Sequence, residues 1–175
     1  MSILREYVKE NHRIAESTAF MNAIFARKLP LNLWYDFQYQ KSLFYKIIED
    51  TASAGGYMSD IRDISRNFLL YQESAGQNFV YRKETIEYYL YIKNLPLGDR
   101  RILAHLYVWH MGDMYGGQMI KKVLGIDSPS LTFEGRESLI QKLENKLDID
   151  LIDEANVAFL WAHKILQSYD SELAC

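Results

Sequence analysis

Two sets of residues in this 175-residue chain have the types and spacing for chemistry. The first is Gly112-Asp113-Met114-Tyr115-Gly116-Gly117-Gln118, which holds one carboxylate and three glycines within two helical turns. A glycine inside a helix costs about 0.5–1 kcal/mol relative to alanine, so this stretch must need an absent side chain. Such a patch can kink a helix and let its backbone lie directly against a flat ligand. It can equally allow a second helix to approach closely, and the spacing alone does not choose. The second set is His12 and Glu16. Four residues place them one turn apart on one face, where the carboxylate can accept an imidazole N–H and fix the orientation of the ring. The same pair on a polar face is also compatible with ordinary solvated side chains.

The elements that must position these residues are helical. Only three prolines and nine glycines occur, and most glycines fall between or at the ends of segments whose apolar residues recur at helical spacing. The first segment runs from Ile3 to about Phe25, with Leu4, Val8, Ile14, Phe20, Met21, Ile24 and Phe25 facing inward. Pro30 opens a second, through Trp34, Phe37, Leu43, Phe44 and Ile47 to about Ser53, because its missing N–H costs nothing in a first turn. Ala54-Gly55-Gly56 ends it; a third begins near an N-cap at Ser59 and runs to about Gln72. A fourth spans Lys83 to Lys93 and stops at Asn94-Leu95-Pro96. The glycine patch lies inside a fifth, from about Asp99 to Leu124. After a loop through Pro129 and Gly135 come helices from Glu137 to Leu147 and from Asp153 to Tyr169. No repeat, low-complexity tract or flexible linker divides the chain, and its length suits one domain over residues 1–175.

The run from Tyr107 to Lys122, Tyr-Val-Trp-His-Met-Gly-Asp-Met-Tyr-Gly-Gly-Gln-Met-Ile-Lys-Lys, resembles the distal-helix signature of haem oxygenases. About a hundred residues earlier, Glu10-Asn11-His12-Arg13-Ile14-Ala15-Glu16-Ser17-Thr18-Ala19-Phe20-Met21 is similar to the proximal segment of the same family. A weaker likeness extends over the rest of the chain, including Glu154 to Leu160. The resemblance implies a single-domain, all-α multihelical bundle with haem sandwiched between a proximal and a kinked distal helix. Haem is then both cofactor and substrate, opened by O2 to biliverdin with release of carbon monoxide and ferrous iron.

The resemblance assigns the residues as follows. His12 binds the haem iron and Glu16 orients its ring. Gly112, Gly116 and Gly117 make room for the porphyrin and oxygen, and Asp113 orders a water network that steers activated oxygen onto the ring edge. Tyr45 joins that network. Tyr107 meets a haem propionate, Arg5 and Lys9 are the nearest cations for the propionates, and Lys142 and Lys146 are candidates for the other side. Phe159 packs near the haem. Three positions depart from the family: Trp109 stands where better-known members carry an arginine of the distal network, Ala162 where an asparagine is common, and Tyr115 replaces a small residue. His105, His110 and His163 are expected to be structural or surface residues.

With no segment for a nucleotide or flavin, the chain must take electrons from a partner, and the resemblance is to the soluble, ferredoxin-dependent branch. Lys121 and Lys122 are candidates to dock an acidic donor, and a bilin reductase could take up the product. The alternative is a haem-binding protein of the same fold that stores or senses haem, or a helical interaction module. A net charge of −3, with dispersed basic residues, argues against nucleic acid. No apolar run reaches the roughly 18–20 residues that span a bilayer, and the first ten residues are charged, so a cytoplasmic location, the host cytosol if viral, is expected. The single cysteine, Cys175, is expected to be a solvated end residue that closes no disulfide.

Overall fold

A computed structural model describes residues 2–174, so Cys175 lies outside the described residues. The regular elements among those residues are all helical. They are α1 (Arg5–Glu16), α2 (Ala19–Phe25), α3 (Leu31–Ala54), α4 (Asn67–Glu73), α5 (Lys83–Lys93), α6 (Ile102–Leu106), α7 (Gly112–Leu124), α8 (Arg136–Glu144), α9 (Ile152–Gln167) and α10 (Asp170–Leu173).

Helix α3 is the axis of the bundle, with α4, α5 and α6 packed against it. It begins directly after Pro30, whose extended backbone serves as the cap position. Its inward stripe is Phe37, Lys41, Phe44, Tyr45 and Ile48, spaced as the 3.6-residue period requires. Helix α9 closes the bundle against α1, α5 and α6. Phe44 lies 4.6 Å from the ring of Trp109, and Tyr88 stacks on Trp161 at 5.5 Å, so aromatic side chains fill much of the centre.

Several boundaries differ from those the periodicity predicts. The first segment is two helices, because the Thr18 side chain accepts the Met21 N–H and caps α2. Phe25, at the end of α2, is 46% exposed rather than inward. The third segment is also divided: Ser59 lies in a turn, Arg62–Ile64 forms a short 3-10 turn, and α4 starts only at Asn67. The cap of α4 comes from another helix. Glu49 of α3 accepts the backbone N–H groups of Arg66 and Asn67, a contact that local sequence does not encode. Helix α8 stops at Glu144, and α9 starts at Ile152 after a 3-10 turn over Ile149–Leu151.

Helices α6 and α7 are continuous through one π turn, Tyr107–Met111. A wider turn of this kind inserts an extra residue into the ladder and is a recognised source of helix kinks. The irregularity therefore lies just before Gly112, and the glycine stretch itself is regular α-helix. Gly125 ends α7 in the left-handed conformation (φ 66°), where its N–H bonds back to the Lys121 carbonyl. No described helix is long and apolar enough to cross a membrane.

Candidate functional site

Asp113 is in the first turn of α7, and two side chains of α3 converge on one of its oxygens. Tyr45 Oη donates to Asp113 Oδ2 at 2.5 Å, and Lys41 Nζ donates to the same atom at 2.9 Å. Tyr45 is fully buried; burial first, then the Asp113 charge, pushes its pKa well above that of an ordinary phenol, so it stays a donor. Its ring stacks on His110 at 4.2 Å. Lys41 is 2% exposed and Asp113 14% exposed. Lys41 was not singled out by the sequence, although its place on the inward stripe of α3 marked it: a lysine four residues from both Phe37 and Tyr45 has to face the core.

The three glycines divide by environment. A Cβ built on Gly112 or Gly116 meets nothing within 4 Å. One built on Gly117 comes within 3.2 Å of both Leu131 Cβ and the Leu131 carbonyl. Gly117 is thus a packing glycine that admits the Pro129–Leu131 turn, whereas Gly112 and Gly116 leave an open strip of backbone beside Asp113. One face of the helix is thus packed at its glycine and the other is open.

His12 lies on the open side of α1. It is 53% exposed, with Nε2 3.5 Å from Glu16 Oε1 and with Phe159 of α9 packed edge-on at 5.5 Å. Its Nδ1 is left without a protein partner among the described residues. Arg5, at the start of α1, acts electrostatically on Tyr107 and Tyr115 of the distal segment, and α2 packs on α7. Burial, the leading cause, raises the pKa of Tyr107, against the opposing effects of Ser2 and Arg5.

The other expected cations are less uniform. Arg5 and Lys9 are exposed on α1. Lys146 pairs with Asp60 at 2.8 Å, and Lys142 adds to the field at the same aspartate. Lys146 therefore has a partner within the protein, whereas Lys142 is exposed. Lys121 donates to Thr132 Oγ1 at 2.7 Å, while Lys122 is exposed.

Behind the distal helix lie two buried histidine–carboxylate pairs. Trp109 Nε1 can only donate, and it does so to Tyr88 Oη at 3.0 Å. Tyr88 then gives its own proton to His105 Nδ1 at 2.6 Å, which leaves His105 Nε2–H to donate to Glu154 at 2.9 Å. Burial lowers the pKa of His105 despite Glu154. His110 Nε2 pairs with Glu49 at 2.9 Å. Both histidines are buried against a carboxylate, and the Trp109 indole bonds Tyr88. Ala162 is buried, and Tyr115 projects outward, its hydroxyl 3.4 Å from Glu144.

The model of the family described as Heme oxygenase matches residues 1–138, more than three quarters of the chain. The chain belongs to the haem oxygenase family. The matched stretch includes His12, Glu16, Lys41, Tyr45, Asp113 and all three glycines, whereas Lys142, Lys146 and Phe159 lie beyond it. Solved structures of haem oxygenases share the fold. Heme oxygenase-1 from the cyanobacterium Synechocystis sp. PCC6803, in complex with heme, superposes with a TM-score of 0.83 at 17% identity, over 98% of this chain and 92% of that one. Heme oxygenase from Leptospira interrogans gives 0.79 at 21% identity, over 96% and 100%. Heme oxygenase-2 from Synechocystis, in complex with heme and NO, gives 0.81 at 17% identity, over 97% and 84%. None of the curated proteins matches the chain by sequence.

Proposed function

We propose that the chain opens haem to biliverdin, releasing carbon monoxide and ferrous iron, with electrons from a ferredoxin-like donor. The observation that carries this reading is Asp113, clamped by Tyr45 and Lys41 beside the open backbone of Gly112 and Gly116. The residues present fit haem. An open strip without side chains suits a flat macrocycle, and a single imidazole suits its iron, since the ring supplies the equatorial ligands.

Bound haem supplies both the iron that activates O2 and the ring that is opened. The chain's own residues divide the remaining work. His12 holds the iron, and Glu16 accepts the imidazole's other N–H and fixes the ring plane. Phe159 limits the tilt of that imidazole from the side. Gly112 and Gly116 let the ring approach α7. Asp113 offers its second oxygen, Oδ1, to water on that face, while the buried Tyr45 hydroxyl remains a fixed donor to Oδ2. Arg5, Lys9 and Tyr107 are the candidates to meet the propionates, with Lys142 on the other side; Lys146 would serve there only by giving up part of its hold on Asp60.

The test is turnover of the haem complex with ferredoxin, its reductase and O2. Loss of the Soret band together with the appearance of biliverdin supports the reading. A Soret band that persists supports instead a storage or sensing role, the alternative that the turning of Trp109 toward Tyr88 favours. A cytoplasmic chain of this kind docks its donor through charge, and Lys122, with Lys121 beside it, is the candidate surface. Reversing both charges should weaken donor-driven turnover and its salt dependence; unchanged values remove these lysines from docking.

A further inference from the structure

Lys41 is a buried charge. An ammonium group 2% exposed has lost nearly all its water, and the rings of Phe37 and Tyr45 lie 5.6 and 4.9 Å from Nζ. A buried ion pair can usually be replaced by apolar side chains at no loss of stability, so packing does not account for a lysine here. Its one ion pair is with Asp113. Lys41 and Tyr45 stand one turn apart on α3 and reach the same oxygen, Oδ2, so rotation of the carboxylate would break both bonds at once. Oδ1 receives no donor among the described residues. The Trp109 indole, four residues before Asp113 on the distal helix, donates to Tyr88 instead.

We propose that Lys41 is a positioning residue: its charge and its bond to Oδ2 lock the Asp113 carboxylate with Oδ1 turned toward the open Gly112–Gly116 face. Resting on the haem oxygenase reading, this adds to it the cation that sets the charge and direction of its key acid. Tyr45 alone would hold the oxygen but leave the negative charge uncompensated.

The experiment uses the full chain loaded with ferric haem, in the Lys41→Met, Lys41→Arg and Lys46→Met variants. Lys46 lies on the outer face of α3, paired with Asp50, and serves as the control. Two quantities are read: the pH midpoint of the visible absorbance change of the ferric complex, and the biliverdin formed per haem consumed. Removing a positive charge beside Asp113 makes the distal side more negative and disfavours proton loss there. Lys41→Met should therefore raise the midpoint by about one pH unit and lower the biliverdin yield on the order of tenfold to a hundredfold. Lys41→Arg should keep the midpoint and recover most of the yield, and Lys46→Met should match the wild type. If Lys41→Met does not fold, Lys41→Gln takes its place in both measurements. A wild-type midpoint and yield in the neutral variant would overturn the proposal. So would a Lys41→Arg protein with a normal haem spectrum that fails as badly as Lys41→Met, since shape and not charge would then matter. If the wild type makes no biliverdin but the midpoint still shifts, the oxygenase reading fails and the control of the haem-facing charge by Lys41 stands. A chain that binds no haem ends both.

Discussion

Helices α1 and α7 carry the two halves of the candidate site, and they are held very differently. On α7 the Asp113 carboxylate is nearly buried and takes two short bonds from α3. On α1 the His12 and Glu16 side chains are each more than half exposed and meet only at 3.5 Å. The distal half is thus organised by protein contacts alone, while the proximal half has no partner stronger than a surface ion pair. Preorganisation matters most where charge must be directed during a reaction, and an exposed ion pair on a helix surface adds little to it.

This difference is open to direct attack through the haem-free protein. The largest effect belongs to Asp113→Ala, which strands the Lys41 ammonium in the core. Chemical unfolding should show a loss of about 3 kcal/mol; a loss of a few tenths would mean that the distal pair is not tightly held. The two faces of α7 come next, because there the sign reverses. Gly117→Ala pushes a methyl against Leu131 and should cost about 1–2 kcal/mol. Gly116→Ala meets open space and should stabilise the haem-free helix by roughly 0.5–1 kcal/mol while weakening haem binding in an absorbance titration. Equal signs for the two would erase the distinction between a packed and an open face. The smallest effect belongs to His12→Ala, within about 0.5 kcal/mol of wild type, as for any exposed side chain without a committed partner.

Acid tests the buried histidine–carboxylate pairs behind the distal helix. His105 is buried with its pKa lowered from an ordinary 6.5, so the unfolded chain binds a proton that the folded chain refuses. Stability from this source is complete above about pH 6.5 and falls as the pH drops below it. For Glu49, burial raises the pKa but bonds from His110, Asn67 and Arg66 outweigh it, and the net shift is downward from 4.5. Glu154 behaves alike: His105 and Tyr91 overcome its burial. Their contribution is present above about pH 4.5 and is lost as the pH falls further. A melting temperature followed from pH 8 to 3 should therefore decline in two stages, and His105→Gln should remove the upper one. A single decline below pH 4.5 in the wild type would show that His105 carries its charge when folded.

Much of this was legible in the residues. Lys83–Lys93 has the predicted limits because Asn94-Leu95-Pro96 ends it locally. The continuity of the helix around Asp113 was legible too, as was the conflict that the glycines create inside it. What escaped was non-local. The apolar rhythm runs across Ser17 and Thr18, so only the Thr18 cap reveals the break between α1 and α2. The start of α4 depends on Glu49, eighteen residues before Asn67 in sequence. Gly112, Gly116 and Gly117 looked equivalent because their difference is made by Leu131. Lys41 was hidden by its type, since lysine is ordinarily a solvated residue and only the identity of its neighbours on the stripe betrays its burial.

The central claim is that haem sits with its iron on His12 and its face against Gly112 and Gly116. The most direct measurement is an absorbance titration of the wild type and His12→Ala with ferric haem. The expected result is one haem per chain with a Soret band of histidine-ligated iron in the wild type, and a displaced band with weaker binding in His12→Ala. The same band and the same affinity in both proteins would contradict it.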